Sequence, residues 1–275
     1  MGLDINTNLA SLQAANNLSN SQDMLATSMN RLSSGYRINS AADDAAGLAI
    51  SASMDMQVQS YTVAQRNAND AISMAQTADG ALGSVSDILG TMQTLATEGA
   101  NGALATSDRS YLQTEFSQLQ AEIKNILTSS KYNGIQVVNQ TAASVDFQTG
   151  ITNSSTDRIA VTFGGVQLNA LLTATTTLSG AASNSQAAMG AITSALSTIS
   201  TSRANFGAAI NRFDVVVSNL QTASLNTSAA ESRIKDVDVA SETANLSREQ
   251  VLIQAGASVL AQANQVPQVA LKLLQ

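Results

Sequence analysis

The chain has 275 residues, 20 of them acidic and 13 basic, for a net charge of −7. That balance argues against a basic face for nucleic acid or an anionic membrane. There is no cysteine and no histidine, which excludes disulfides, thiolate chemistry and zinc–sulfur sites and removes the commonest general base and metal ligand. Both absences weigh against a metal, a cofactor or a catalytic role without excluding them, since carboxylates and lysines remain. Charged residues make up 12% and aromatics 3%, against roughly 25% charged in an average soluble chain. The apolar content is mostly Ala, Leu, Ile, Val and Met, which suits close helix–helix packing. No run of about 20 apolar residues is present to span a membrane. The first basic residue is Arg31, so no cleaved secretory leader is expected.

A helix is predicted from about Asn6 to Leu32. Leu18, Leu25 and Leu32 recur every seven residues, with Ala15 and Met29 as the intermediate rung and Leu9 and Leu12 on a slightly shifted face. Gly35 is the expected stop. The next helix is predicted to start at Asn39 or Ser40, with Ser40 and Asp43 as a capping box, and to weaken near Ser60. The strongest stripe follows: Ala64, Ala68, Ala71, Ala75, Ala78, Leu82, Val85, Leu89, Met92 and Ala96 alternate four and three. Such a long stripe with so few charges needs partners along its whole length. After a loop at 99–106, a helix capped by Ser107 or Asp108 carries Leu112, Phe116, Leu119, Ile123 and Ile126, and Asn133-Gly134 ends it with a turn signal.

From Ile135 to about Ser179 the pattern becomes β-branched and alternating, over 135–138, 145–150 and 158–168, and a small hairpin region is predicted. Thr173 to Ser185 reads as exposed, either a solvated loop or an O-glycosylated surface. Helical periodicity returns at Ala188 and runs through Ile192, Ala195, Ile199, Phe206, Phe213 and Leu220. A last helix begins near Asp238, with Leu252, Ala255, Val259, Ala263, Val266, Ala270 and Leu273 as its stripe. Pro267 should kink or interrupt it. The fold class is thus mainly α: a long antiparallel helical bundle of N- and C-terminal segments with a small β-hairpin region between them.

Asp43 and Asp44 are the chemically suggestive pair. Adjacent helical residues point about 100° apart, so two neighbouring carboxylates do not converge on one ion. Apart from this pair, no acidic residue lies between Asp23 and Asp55. Helix-start chemistry is the stronger reading, since carboxylates in a first turn complement the helix dipole. A contact with a neighbouring copy remains open.

Three stretches resemble bacterial flagellin: INTNLASLQAANNLSNSQ (5–22), RLSSGYRINSAADDAAGLAIS (31–51) and SRIKDVDVASETANLSREQVLIQAGASVLAQANQVPQVALKLL (232–274). NGIQVVNQ (133–140) and FGAAINRF (206–213) fit as well. The resemblance spans about 1–140 and 188–275. It implies a subunit that is exported without a cleaved leader and polymerises into an extracellular flagellar filament, with a hook–filament junction protein as the alternative. It implies residues 1–40 with 235–275 as a coiled-coil tip that lines an inner tube on assembly. Residues 41–234 would be a rod-like shell domain including the β region 135–180, with no large outer domains. Implied partners are further copies of itself, the flagellar export apparatus, an export chaperone, and the hook-associated junction and filament cap proteins.

The terminal polymer interface would use Leu9, Leu12, Leu18, Leu25, Ile253, Val259, Leu260, Leu271, Leu273 and Leu274. Candidate shell contacts are Arg31, Arg37, Asp43, Asp44, Asn211 and Arg212. Many flagellins carry an Arg-Glu-Leu surface triplet that the flagellin-sensing Toll-like receptor contacts. The aligned residues here are Gln93, Thr94 and Leu95. Both charges are gone, with the charge-assisted bonds they make, so the resemblance implies weak or absent recognition. A flagellin-like peptidase would need an H-E-x-x-H type motif, which a chain without histidine cannot supply.

Overall fold

The computed structural model describes residues 7–173 and 176–273, with side chains as far as 265. Its elements in chain order are α1 (Leu9–Ser34), α2 (Ala45–Gly99), α3 (Thr106–Ser129), β1 (Lys131–Tyr132), β2 (Ile135–Gln136), β3 (Ala143–Gln148), β4 (Arg158–Phe163), α4 (Asn169–Leu172), α5 (Ala182–Lys235) and α6 (Val239–Leu273). Two compact units result. One comprises residues up to 58 and from 226 onward, and the other comprises 59–225.

In the second unit, every position of the α2 stripe from Ala64 to Ala96 is buried, nine of the ten at 0% exposure alongside Ala64 at 3%. With Ala every three or four residues a partner can come close, and the larger Leu, Val and Met side chains fill the wider gap further on. Phe116, Ile123 and Leu127 of α3 join the same cluster, as do Ile192, Ile199, Phe206 and Phe213 of α5. No break occurs near Ser60, and α2 is one helix of 55 residues.

Asn133-Gly134 does not end α3. It forms the two-residue turn of the β1–β2 hairpin, with φ of 47° and 81°. Left-handed backbone at both positions is what such a tight turn needs. β3 and β4 form a second antiparallel ladder, Ala143 opposite Phe163 and Gln148 opposite Arg158. Ile159, Val161 and Phe163 face inward, so the strand reads as a half-buried alternation. Phe163 stacks on Phe206 at 5.4 Å between centroids, and Phe147 meets Phe213 edge-on at 5.6 Å. Aromatic pairing thus fastens the hairpin to α5.

Two expectations for this unit change. Residues 173–185 are not simply exposed: Leu178 and Ser185 are fully buried, and α5 starts at Ala182. The α3 cap is Ala105, which makes no side-chain bond. The end of α2 is instead held by Arg109, whose buried guanidinium donates to the carbonyls of Gly99, Asn101 and Gly180 at 2.8, 2.7 and 3.3 Å. A cation at a helix C-terminus also complements its dipole.

In the first unit α1 and α6 run antiparallel. α5 continues without a break to Lys235, and Asp238 Oδ1 accepts from Ala240 N to start α6. α6 continues through position 267, so Pro267 does not interrupt it.

Candidate functional site

The pairing of the terminal helices is fixed at several levels. Asn8 Nδ2 donates to Ala263 O at 2.8 Å, and Ser11 Oγ donates to Asn264 Oδ1 at 2.7 Å. Gly256 lies beneath Leu18, where an added Cβ would stand 3.4 Å from Leu18 Cδ1. Counting in heptads from that contact places Leu25 level with Glu249 and Leu32 level with Glu242. The rungs between place Ser21 level with Ile253 and Ser28 level with Leu246. Large side chains therefore face small ones across most of the seam, which lets two helices approach closely.

This seam differs from the predicted stripes. On α1 the rungs between the leucines are Ala14, Ser21 and Ser28, with both serines buried, whereas Ala15 and Met29 face outward. On α6 the seam is Glu242, Leu246, Glu249, Ile253, Gly256, Leu260 and Ala263, whereas Leu252, Ala255 and Val259 are exposed. The two glutamates are more than nine-tenths buried, and Glu249 Oε2 has no hydrogen-bond partner among the described residues.

The ten predicted interface leucines, isoleucine and valine therefore split. Leu18, Leu25, Ile253 and Leu260 lie half-buried on the seam. Leu9, Leu12 and Val259 point away from it, at 70%, 58% and 56% exposure. Leu274 and the side chains of Leu271 and Leu273 lie outside the described residues. Met24, Met29, Val251 and Leu252 add further exposed apolar side chains to these two helices. Single exposed hydrophobics are normal, but this many on two adjacent helices leave a large apolar surface uncovered.

The corner that joins α1 to α2 is built residue by residue. Gly35 caps α1 in the left-handed conformation, φ 76°, and its N–H donates to Arg31 O. Residues 36–38 then run alongside the α5–α6 corner. Arg37 N donates to Lys235 O at 2.7 Å, Val237 N donates to Gly35 O at 3.0 Å, and Tyr36 bridges Asp236. Arg37 Nη2 adds a bond to Ile234 O at 2.7 Å, and Lys235 Nζ sits 4.6 Å over the Tyr36 ring. Ile38 is buried beneath. Both helix corners are thus stitched together by backbone hydrogen bonds.

Asp43 and Asp44 divide the remaining work. Asp43 Oδ2 accepts from Asn39 N, Ser40 N and Ser40 Oγ at 3.1, 2.8 and 3.0 Å. The Ser40 backbone and hydroxyl bonds hold its carboxyl below the usual carboxylate range, with the Arg31 charge a smaller contribution. Asp44 Oδ1 accepts from Gly47 N at 2.8 Å and caps α2. The helix therefore begins at Ala45, later than Ser40, because the Ser40–Asp43 turn closes on itself first. Gly47 is needed here: a Cβ would collide with the Asp44 carboxylate and with Ile38 Cδ1.

Of the other candidate contacts, Arg31 is half-buried and Arg37 exposed, both beside this corner, whereas Asn211 and Arg212 are exposed on α5 in the second unit. Of the receptor-surface triplet only Thr94 is exposed, and its Oγ1 donates to Thr91 O. Gln93 is half-buried with Oε1 shielded, and Leu95 belongs to the core rather than the surface. Sequence reasoning missed the pairing of 35–38 with 234–237, for which no local pattern exists. It also missed Glu242 and Glu249, whose seven-residue spacing was a signal masked by their charge.

Comparison with known proteins bears on the whole arrangement. A model described as the bacterial flagellin N-terminal helical region matches residues 5–143, and one described as the bacterial flagellin C-terminal helical region matches 189–274. The chain is similar to B-type flagellin of Pseudomonas aeruginosa, 45% identical over 150 residues, which is 54% of this chain and 31% of that protein. It is similar to Flagellin C of Vibrio cholerae, 42% identical over 153 residues, covering 56% and 41%. The match therefore spans well under half the length of these relatives. Among solved structures, a protein of Vibrio parahaemolyticus described as flagellar hook-associated shares the fold at a TM-score of 0.59 and 14% identity, covering 70% of this chain and all of that one. With residues 5–143 and 189–274 each matching the corresponding model, the chain belongs to the bacterial flagellin family.

Proposed function

We propose that this protein is the repeating subunit of an extracellular flagellar filament, with a structural rather than catalytic role. The observation that carries this reading is the outer surface of the α1–α6 pair. Leu9, Leu12, Met29, Val251 and Val259 are all more than half exposed there, and burying them against further copies supplies a driving force of about 25 cal/mol per Å² covered. On this reading residues 1–40 and 235–275 pack into the inner tube and 41–234 form the shell around it. Export through the flagellar apparatus, an export chaperone, and the junction and cap proteins complete the partners. Loss of the charged pair at Gln93-Thr94 leaves recognition by the flagellin-sensing Toll-like receptor weak. The hook-associated alternative is supported only by a fold likeness at 14% identity, whereas the curated relatives named above are flagellins.

The test is polymerisation of purified monomer on short seeds, followed by sedimentation and electron microscopy. Wild-type protein should form long filaments. Leu12→Asp and Val259→Asp should block growth while leaving monomer helicity unchanged, since both side chains already face outward. Normal growth of both variants would refute burial of this surface. A cell reporter for the receptor, given endotoxin-free monomer, should stay near baseline.

A further inference from the structure

The chain carries eight methionines and no cysteine, tryptophan or histidine. A peroxide that meets this protein therefore finds its principal targets in the thioethers. The structure sorts them by access. Met74 and Met92 lie in the α2 core at 2% and 0% exposure, and Met54 and Met189 are half-buried. Met24, Met29 and Met56 stand in the open at 48%, 58% and 62%. Two of these three are on α1. Met24 precedes the seam residue Leu25, and Met29 follows the seam residue Ser28. Steps of about 100° per residue set them on opposite shoulders of the α1–α6 pair. After Leu12, no other large apolar side chain of α1 is exposed. Over 13–34, the outward apolar contact that α1 offers another copy is thus made chiefly by two thioethers. A methionine in such a contact is apolar and adaptable. Its sulfoxide is polar and chiral, and it disrupts the interface it joins.

We propose that Met29, together with Met24, makes assembly of this protein sensitive to oxidants. Peroxide converts these thioethers to sulfoxides in the free subunit and blocks its addition to a filament. A methionine sulfoxide reductase with a thiol reductant restores it. This deepens the filament reading above and rests on it. In the forward step the Met29 sulfur attacks one peroxide oxygen, the O–O bond breaks, an S–O bond forms, and the other oxygen leaves as water. Sulfur loses two electrons and the peroxide gains them. In the reverse step two thiols become a disulfide and the sulfoxide oxygen leaves as water. Burial against further copies shields Met29, so oxidation acts before addition rather than after it.

Seeded growth of wild-type monomer is compared before and after a pulse of hydrogen peroxide. A Met24→Leu/Met29→Leu double variant and Met56→Leu run alongside, since exchange of methionine for leucine conserves volume. Oxidised wild type and oxidised Met56→Leu should need about tenfold more monomer to grow, the effect of one polar group buried without a partner. Monomer helicity should be unchanged, and the reductase should restore growth. The double variant should grow alike before and after the pulse. Peptide mass spectrometry gives a readout that needs no variant. Met29 should be oxidised in monomer and spared in filaments, with Met74 and Met92 spared in both. Growth of wild type unaffected by oxidation, equal inhibition of the double variant, loss of monomer helicity, or equal oxidation of Met29 in monomer and filament would each overturn the proposal. Wild-type protein that never polymerises, even without peroxide, would instead overturn the filament reading, and this proposal with it.

Discussion

Along α2, the stripe from Ala64 to Ala96 is an unbroken series of buried apolar side chains. Along the α1–α6 seam, leucines alternate with serines, and two glutamates and a glycine take the facing rungs. Both seams obey the same four-and-three spacing, yet one is a core and the other a close, partly polar contact. The difference shows that helical period alone does not rank stability. Dry apolar burial is worth about 25 cal/mol per Å², whereas a seam of Ser, Gly and Glu contributes less hydrophobic area and carries the cost of burying carboxylates. The second unit should therefore be the stable part of the monomer and the first the part that opens more easily.

Hydrogen exchange on the monomer is the most severe test of that contrast. Amides of 68–96 should open only with global unfolding, while those of α1 and α6 should exchange through local opening at a free energy lower by on the order of 5 kcal/mol. Equal protection would break the comparison. Next in size is Phe163→Ala, which removes a fully buried ring stacked on Phe206. It should cost about 3–5 kcal/mol in urea unfolding, whereas Leu25→Ala on the half-buried seam should cost no more than about 1–2 kcal/mol.

Arg109→Ala leaves three carbonyls without their donor and should cost about 3 kcal/mol in the same assay. Asp44→Ala removes the α2 cap and should cost about 1 kcal/mol, with Asp44→Ser restoring most of it. The smallest effect is the pH dependence of the corner. The turn donors hold the Asp43 carboxyl below the usual carboxylate range. The native state therefore binds this proton less readily than the unfolded chain does. Its stabilisation is fully present above about pH 4 and disappears as pH falls through the lowered value. Asp43→Asn should flatten the acid limb of the corner's stability, read by amide exchange at Asn39 and Ser40 between pH 2 and 6.

Much of this was legible in the sequence, and the failures have a common cause. The α2 stripe could be read residue by residue because burial there selects for apolar size alone. The hairpin of β3 and β4 was visible for the same reason, through alternation at Ile159, Val161 and Phe163. On α6, however, hydrophobic counting chose Leu252, Ala255 and Val259, which are exposed, over Glu249 and Gly256, which are not. Close approach selects small residues, and a carboxylate over a leucine hides its stem. Neither looks like a core. The helix start at Ala45 was misplaced because two capping carboxylates stand side by side, and only geometry tells which of them closes a turn and which caps the helix. The stitching of Arg37 to Lys235 has no local trace at all.

That stitching also sets a timetable. Arg37 waits for a carbonyl 197 positions downstream, and Asn8 for one 255 positions downstream. Loop-closure entropy must be overcome before such contacts return anything. A chain that appears N-terminus first cannot fasten α1 until α6 has emerged. α1 thus remains unlatched until then, and α6 with the end of α5 acts as the key.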